Sequence, residues 1–396
     1  MRKALSLAEH GIYSTKPNPR VGCVLVKNDQ LLGQGWHNKP GEPHAEIMAL
    51  NDANNKSKRI EGAVAYINLE PCCHHGKTSP CVDALIASKL SKVYVATADP
   101  NPLVNGKGID KLREAGIEVE VGLLEEEAKQ LNRGFIQRHL AGRPWITLKI
   151  AQSLDGVMVL KHNATGDARQ WITGEAARQD VHLLRARSCA VLSGASSISA
   201  DNSRLNVRLS DTQRPVAEES SVTHSYTTPS YETPLRIALD PQFNLDPQLD
   251  FFSTAGPKLW VGTDSSKAPK IIPDDTEVLI MPKQKQSQTN CSGSINLTDL
   301  LVKLTDREIN ELLVESGPRL IQSFLAEGLM DEFIVYIAPC LLRAEGSANN
   351  DITFNNFNAN DTKCNDHNQG YEFHLVEQRL CGDDLRLTLQ PKRHIN

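Results

Sequence analysis

Pro43-His44-Ala45-Glu46, followed after a strand-like run by Glu70-Pro71-Cys72-Cys73-His74-His75-Gly76-Lys77-Thr78-Ser79-Pro80-Cys81, decides how this chain is read. A His, a Glu two residues on and a later Pro-Cys are the components of a zinc site that removes an amine from a ring. Zinc takes imidazole and thiolate ligands, and a catalytic site keeps one position for water. The metal lowers the pKa of that water, and Glu46 stands where it can move the proton. His44 and Cys72 are the first two ligands. The usual spacing is C-x-x-C, and the interval here departs from it. Either Cys73, His74 or His75 completes the set, or a longer loop delivers Cys81. Each half alone has a plainer reading, a solvated helix start and buried free thiols. Their combination points to metal.

The flanking pattern supports this placement. Ala45 to Asn54 has helical periodicity, so His44 and Glu46 lie at a helix start. Val82 to Leu90 reads as a helix with Cys81 at its beginning, where a thiolate is stabilised. Val21 to Val26 and Leu31 to Trp36 form a hairpin around Lys27-Asn28-Asp29-Gln30. Gly62 to Leu69, Lys92 to Ala98 and Ile117 to Val121 read as strands. Ile109 to Ala115 is a helix, and Glu125 to Leu140 is expected as one long helix ending at Gly142-Arg143-Pro144. Strand and helix alternate, which argues an α/β sheet covered on both faces.

At 396 residues the chain exceeds one ordinary core. The breaker at Gly142–Pro144 sets the expected domains at 1–142 and 145–396. A net charge of −5 gives no reason to expect a nucleic-acid partner. The nine cysteines make no secreted disulfide framework and fit a reducing cytoplasm. The first residues read as a short amphipathic helix, too brief for a signal peptide or a membrane span.

Beyond the breaker the residues say only that a second α/β domain follows. Trp145 to Ala151 is a strand. Glu175 to Arg187 is a helix carrying Arg178, Arg185 and Arg187. Asn310 to Glu315 is a strand leading into Ser316-Gly317-Pro318-Arg319-Leu320, a turn whose amides suit an anion. No G-x-G-x-x-G follows a strand, so a Rossmann site is not supported. Ser210 to Thr233, Lys283 to Ser294 and Ala348 to Gln369 read as polar surface loops. Tyr371 to Gln378 and Leu385 to Leu389 read as a closing hairpin.

The stretches "NPRVGCVLV", "GEPHAE" and "EPCCHHGKTSPC" resemble the deaminase half of the bifunctional riboflavin-biosynthesis deaminase/reductase family. "LKIAQSLDG", "RQWITG", "HLLRARS", "LNVRL" and "VESGPRLIQSFLAEGLMDEFIVYIAP" resemble its reductase half. The resemblance implies a cytidine-deaminase-like α/β/α domain followed by a dihydrofolate-reductase-like α/β domain. It implies zinc on His44, Cys72 and Cys81, Glu46 as proton shuttle, and Asn18 against the pyrimidine. His74 and His75 would then shape the substrate pocket. It implies NADPH against Ala151, Trp171, Ser197, Asp201, Gly317, Pro318, Arg319 and Leu320. A pyrimidine ribose phosphate would meet Arg185, Leu205, Arg208 and Glu315, and a homodimer through the second domain is expected by analogy. Departures fall in the second half. Leu160 to Ala168 is longer than usual, Arg169 stands where a substrate-contacting serine is expected, and Ser203 and Arg343 replace a proline and a glycine. The competing readings are a nucleoside or tRNA base deaminase with an unrelated second domain, a deaminase with a decayed reductase, and a zinc-stabilised binding protein. A purely structural site has no use for Glu46.

Overall fold

The computed structural model describes residues 1–74, 80–158, 171–209, 231–283, 295–342 and 371–392. These form two compact units. The first is Met1–Pro144, joined by Tyr231 and Glu232, and the second begins at Trp145. Among the described residues no helix is long and apolar enough to cross a membrane.

The first unit runs α1 (Arg2–Glu9), β1 (Gly22–Lys27), β2 (Gln30–Trp36), α2 (Ala45–Asn55), β3 (Val64–Ile67), α3 (Cys81–Ala87), β4 (Lys92–Val95), α4 (Lys107–Glu114), β5 (Glu118–Val121), α5 (Glu125–Leu131) and α6 (Arg133–Ala141). Its sheet has the order β2-β1-β3-β4-β5. β1 is antiparallel to both neighbours, and β3, β4 and β5 are parallel. Strand residues alternate between two cores, as a period of two demands. Cys23, Leu25, Ala65, Ile67, Val93 and Val95 meet α2, α3 and α4 on one face. Val24, Val26 and Tyr66 meet α1 on the other. Burying one leucine such as Leu85 contributes about 1.5–3 kcal/mol. Exposed ion pairs such as Lys129–Glu125 contribute little, because water and salt screen them. The apolar alternation therefore sets the fold. Gly35 lets α2 lie directly on β2, since a Cβ there would sit 2.6 Å from Ala49 N.

The single helix expected over Glu125 to Leu140 is in fact two. The chain breaks at Asn132, whose backbone turns out to φ −107°, ψ 21°. Its buried side chain accepts from Arg20 N at 2.8 Å and donates to Arg20 O at 2.9 Å. Asn68 shares that task, donating to Arg20 O at 2.9 Å and accepting from Gly22 N at 2.7 Å. The entrance to β1 thus has its backbone satisfied by two asparagines from distant sequence, a demand that helical periodicity does not record.

The second unit runs β6 (Trp145–Ser153), α7 (Glu175–Arg187), β7 (Ala190–Gly194), α8 (Ala195–Asp201), β8 (Leu235–Leu239), α9 (Asp250–Ser253), β9 (Lys258–Gly262), β10 (Thr276–Ile280), α10 (Leu297–Asp306), β11 (Glu311–Glu315), α11 (Pro318–Ala326), β12 (Glu332–Ala338), β13 (Phe373–Cys381) and β14 (Asp384–Pro391). The nine strands are ordered β10-β9-β8-β7-β11-β6-β12-β14-β13. All pairings from β10 to β12 are parallel, and the hairpin β13–β14 closes the sheet antiparallel. One face packs on α10 and α11, the other on α7, α8 and α9. After β6 the chain builds outward through β7 to β10, then returns to insert β11 beside β6. The carboxyl ends of β6, β7 and β11 therefore meet where strand order reverses, the place where ligands bind in such sheets. Asp180 of α7 is buried and accepts from Tyr336 Oη at 2.5 Å, Arg379 Nη2 at 2.5 Å and Arg386 Nη1 at 3.0 Å. One carboxylate so ties α7 to β12, β13 and β14.

The stretch Leu160 to Ala168, His75, Arg169 and Arg343 lie outside the described residues, as do nearly all of the three expected polar loops.

Asn132→Ala removes the acceptor for Arg20 N and one of the two donors to Arg20 O, while leaving α5 and α6 intact in propensity. The amides of β1 should lose about 1–3 kcal/mol of hydrogen-exchange protection, while those of β11 in the second unit keep theirs. Equal exchange in both proteins would contradict the role given to Asn132.

Candidate functional site

The loop after β3 and the starts of α2 and α3 bring His44, Cys72 and Cys81 together, with ligand atoms all within 4.8 Å of one another. His44 is the N-cap of α2, and Cys81 is the first residue of α3. His44 Nδ1 stands 3.5 Å from Cys72 Sγ and 3.3 Å from Cys81 Sγ. The Cys81 amide donates to Cys72 Sγ at 3.3 Å. A hydrogen bond from the Cys81 thiol, with further help from His44 and that amide, pushes the Cys72 thiol down to about 4. The opposite shift at Cys81 reflects the same shared proton. The hydrogen bond to Cys72 raises His44. One imidazole and two sulfurs, one of them readily ionised, are a donor set that suits zinc. Cys73 is half-buried beside Leu103 O and His74 is exposed, and neither joins the cluster.

Glu46 completes the arrangement. It is buried in the first turn of α2, and its Oε2 has no hydrogen-bond partner among the described residues. Burial, with the Cys72 charge behind it, pushes its carboxyl up to about 7. A buried oxygen of this kind beside the two sulfurs marks a place for a further group. Asn18 lies at the same site. Its Nδ2 donates to His37 Nε2 at 3.0 Å, while His37 Nδ1 donates to Pro43 O at 3.3 Å. Burial pushes His37 below its ordinary value, and its ring meets His44 edge-on at 5.1 Å.

In the second unit some of the anticipated residues meet at the carboxyl ends of β7 and β11. Gly317 is the N-cap of α11, and its amide donates to Ser197 Oγ at 2.8 Å. The Gly194 amide donates to Ser316 Oγ at 3.1 Å. These exchanges lock the turns after β7 and β11 together, ahead of Pro318, Arg319 and Leu320 in the first turn of α11. Ala151 is on β6, and Asp201 ends α8. Trp171 is largely exposed, with the Arg178 guanidinium 5.2 Å from its ring centre.

Arg185 and Glu315 form a bidentate pair at 2.6 and 3.0 Å, and Arg185 Nη1 donates to Asn206 O at 2.9 Å. Burial alone would raise Glu315, but Arg185, Lys149 and His182 together hold its carboxylate below the ordinary range. Leu205 is buried at a left-handed φ of 51°, which turns Asn206 back toward Arg185. Arg208 is exposed, and its Nη1 donates to Asn206 Oδ1 at 2.5 Å.

Two comparisons bear on what these sites are. The zinc-binding region of cytidine and deoxycytidylate deaminases matches residues 1–97, and the RibD C-terminal domain matches residues 144–371. The riboflavin biosynthesis protein RibD of Escherichia coli is 41% identical over 345 residues, covering 87% of this chain and 88% of the relative.

The chain belongs to the RibD family.

The RibD of Haemophilus influenzae is 40% identical over 99% of this chain and 96% of its own. The solved RibD of Acinetobacter baumannii superposes with a TM-score of 0.80 at 37% identity, covering 99% of this chain and 98% of that one. A solved protein from Thermotoga maritima superposes with a TM-score of 0.79 at 29% identity over 99% and 97%. It is described as a diaminohydroxyphosphoribosylaminopyrimidine deaminase and 5-amino-6-(5-phosphoribosylamino)uracil reductase. As a RibD chain the protein is a deaminase and a reductase in one polypeptide, with a cytidine-deaminase-like domain, a dihydrofolate-reductase-like domain, zinc and NADPH. The match across residues 144–371 sets aside an unrelated second domain.

Three RibD residues escaped the reading of the sequence. Lys149 of β6 pairs in register with Glu315 and stands 5.7 Å from the Tyr336 ring. Burial lowers its pKa, opposed by Glu315. Its signal was present, a lysine on the alternating run Ile146-Thr147-Leu148-Lys149-Ile150 of a buried strand. His37 follows β2 and carries no local motif. His182 accepts the Arg208 amide on Nδ1 at 3.2 Å, which fixes the proton of the neutral ring on Nε2. Burial, reinforced by the Arg185 and Arg208 cations, pushes His182 down to about 4, against an ordinary 6.5.

That depression has a sign that can be checked. Between the two values only the unfolded chain binds the extra proton, so this contribution to stability is full above 6.5 and is lost as pH falls toward 4. The His182 ring resonance should stay neutral across the neutral range, and His182→Gln should flatten the acid-side slope of second-unit stability. A ring that titrates near 6.5 in the folded protein would refute the buried, neutral assignment.

Proposed function

We propose that the first unit, residues 1–142, hydrolyses the 2-amino group of 2,5-diamino-6-ribosylamino-4(3H)-pyrimidinone 5′-phosphate. The second, residues 145–396, then reduces the ribosyl group to the ribityl chain. The observation that carries the first step is the meeting of His44, Cys72 and Cys81 beside the buried, unpartnered Oε2 of Glu46. When held by those three donors, zinc supplies the Lewis acid that makes water a nucleophile near neutral pH. Glu46 carries one proton from the attacking water to the ring nitrogen, then a second from the hydroxyl so formed to the leaving amine, which departs as ammonia. A carboxyl near 7 can do both, because neither charge state is strongly preferred. Asn18, held by His37, faces the pyrimidine.

In the second unit NADPH brings the hydride, and the protein's part is placement and charge. The turn Gly317 to Leu320 would receive the cofactor phosphates, with Ser197 and Asp201 of α8, Ala151 and Trp171 as further contacts. Glu315, Arg185, Leu205 and Arg208 line the sugar phosphate. Arg208 meets the phosphate from its exposed position. Arg185 contributes charge while its fork orients Glu315. Arg169 belongs to this group on sequence grounds. The same reading places the protein in the cytoplasm as a homodimer through the second unit, with no nucleic-acid or membrane partner.

Glu46→Gln should keep its zinc, measured by metal analysis, and lose about a hundred- to ten-thousand-fold in ammonia release. Undiminished deamination in that variant would refute the shuttle. NADPH oxidation by the Glu46→Gln chain, whose deaminase is disabled, should begin only when the deaminated pyrimidine is supplied. Oxidation that proceeds equally on the diamino compound would overturn the proposed order of steps.

A further inference from the structure

The carboxylate of Glu70 is buried among backbone amides. Its Oε2 accepts from Asp99 N at 3.1 Å and Gly106 N at 2.9 Å. Its Oε1 accepts from Gly108 N at 2.9 Å and Ile109 N at 3.3 Å. Glu70 is only 4% exposed, and among the described residues no cation pairs with it. One oxygen therefore pins both ends of the loop from Asp99 to Gly106, and the other caps the start of α4. The same residue's amide donates to Thr97 O at 3.0 Å, holding the exit of β3 against the exit of β4.

Pro71 and Cys72 are equally confined. A Cβ on Gly108 would lie 2.2 Å from Pro71 O, so α4 touches the backbone of the residue next to Glu70 directly. Cys72 O accepts from Val82 N at 3.2 Å, and Cys72 Sγ accepts from Cys81 N. The loop itself is braced internally, with Asp99 Oδ1 accepting from Asn101 N at 2.8 Å and Asn101 Oδ1 from Leu103 N at 3.0 Å. Asp99-Pro100-Asn101-Pro102 is thus a rigid block, and Glu70 is what fastens it two residues from a sulfur of the candidate zinc site.

We infer that Glu70 is a positioning residue for the metal centre: its carboxylate, shared among four amides, fixes the backbone that presents Cys72. The inference rests on the zinc reading of His44, Cys72 and Cys81. Glutamine at position 70 keeps the shape but turns an NH2 toward two of the four donors. Aspartate keeps the charge but lacks the reach.

The test uses the full chain carrying zinc and a chromogenic chelator as competitor. Zinc release from Glu70→Gln should be about 10- to 100-fold faster than from wild type, the range found when partners that orient metal ligands are removed. NADPH-dependent reduction of the deaminated pyrimidine, a property of the other unit, should be unchanged and reports that the chain is folded. Cobalt in place of zinc adds a second readout, because its sulfur-to-metal absorption should shift in the variant. If Glu70→Gln loses the reductase too, Glu70→Asp carries the same comparison. Zinc release at the wild-type rate from whichever variant retains the reductase overturns the positioning role. A wild-type chain that holds no zinc at all would instead sink the metal reading, so the two failures are told apart.

Discussion

Two sulfurs and an imidazole nitrogen do not stay within 4.8 Å of one another for want of anywhere else to go. Each prefers water or a proton, and crowding them raises the free energy of the ionised forms. The helix starts offset part of that cost, since the Cys81 amide at the start of α3 donates to Cys72 Sγ and helps hold negative charge there. The starts converge because α2 lies flat on the glycines of β2, and because α3 begins where the exit of β3 ends. A cation accepted there relieves the crowding, so the fold of the first unit and its affinity for metal have one origin.

The second unit handles charge differently. Lys149, Arg185, Glu315 and Arg208 meet where strand order reverses, with the first three on neighbouring or facing elements. Buried charges are costly unless paired, and the bidentate Arg185–Glu315 contact pairs them before any ligand arrives. His182 is kept neutral among these cations, so it buttresses the Arg208 backbone without adding to the positive charge. The site's polarity is therefore fixed in advance, which is what hydride transfer to a sugar phosphate asks of a protein.

Much of this was legible in the residue order. The starts of α2 and α3 could be read because apolar periodicity begins immediately after His44 and at Val82. Two metal donors, His44 and Cys72, could be read because His-x-Glu and Pro-Cys carry their chemistry in their spacing; the third, Cys81, came only with the family resemblance, since the interval after Cys72 departs from C-x-x-C. Asn132 could not, since nothing local says that a helical residue will serve the backbone of Arg20. β8, β9 and β10 were passed over because their short apolar runs sit among polar connections, where period alone does not separate strand from helix. Lys149 was visible as a cation in a buried strand, but its partner Glu315 lies far along the chain. Glu70 looked like part of a cysteine motif, and its four amide partners exist only once α4 has folded.

Asp180 gives the order of assembly a direction. Its three partners, Tyr336, Arg379 and Arg386, all come late in the chain, and β13 and β14 complete the sheet edge beside β12. During synthesis the first unit can close around residues 1–144 while translation continues. The second holds an uncompensated acid in α7 and an open strand edge until its final segment leaves the ribosome. A message truncated near its 3′ end would therefore yield a polypeptide with a sound amino-terminal half and a sticky, unfinished carboxyl-terminal one.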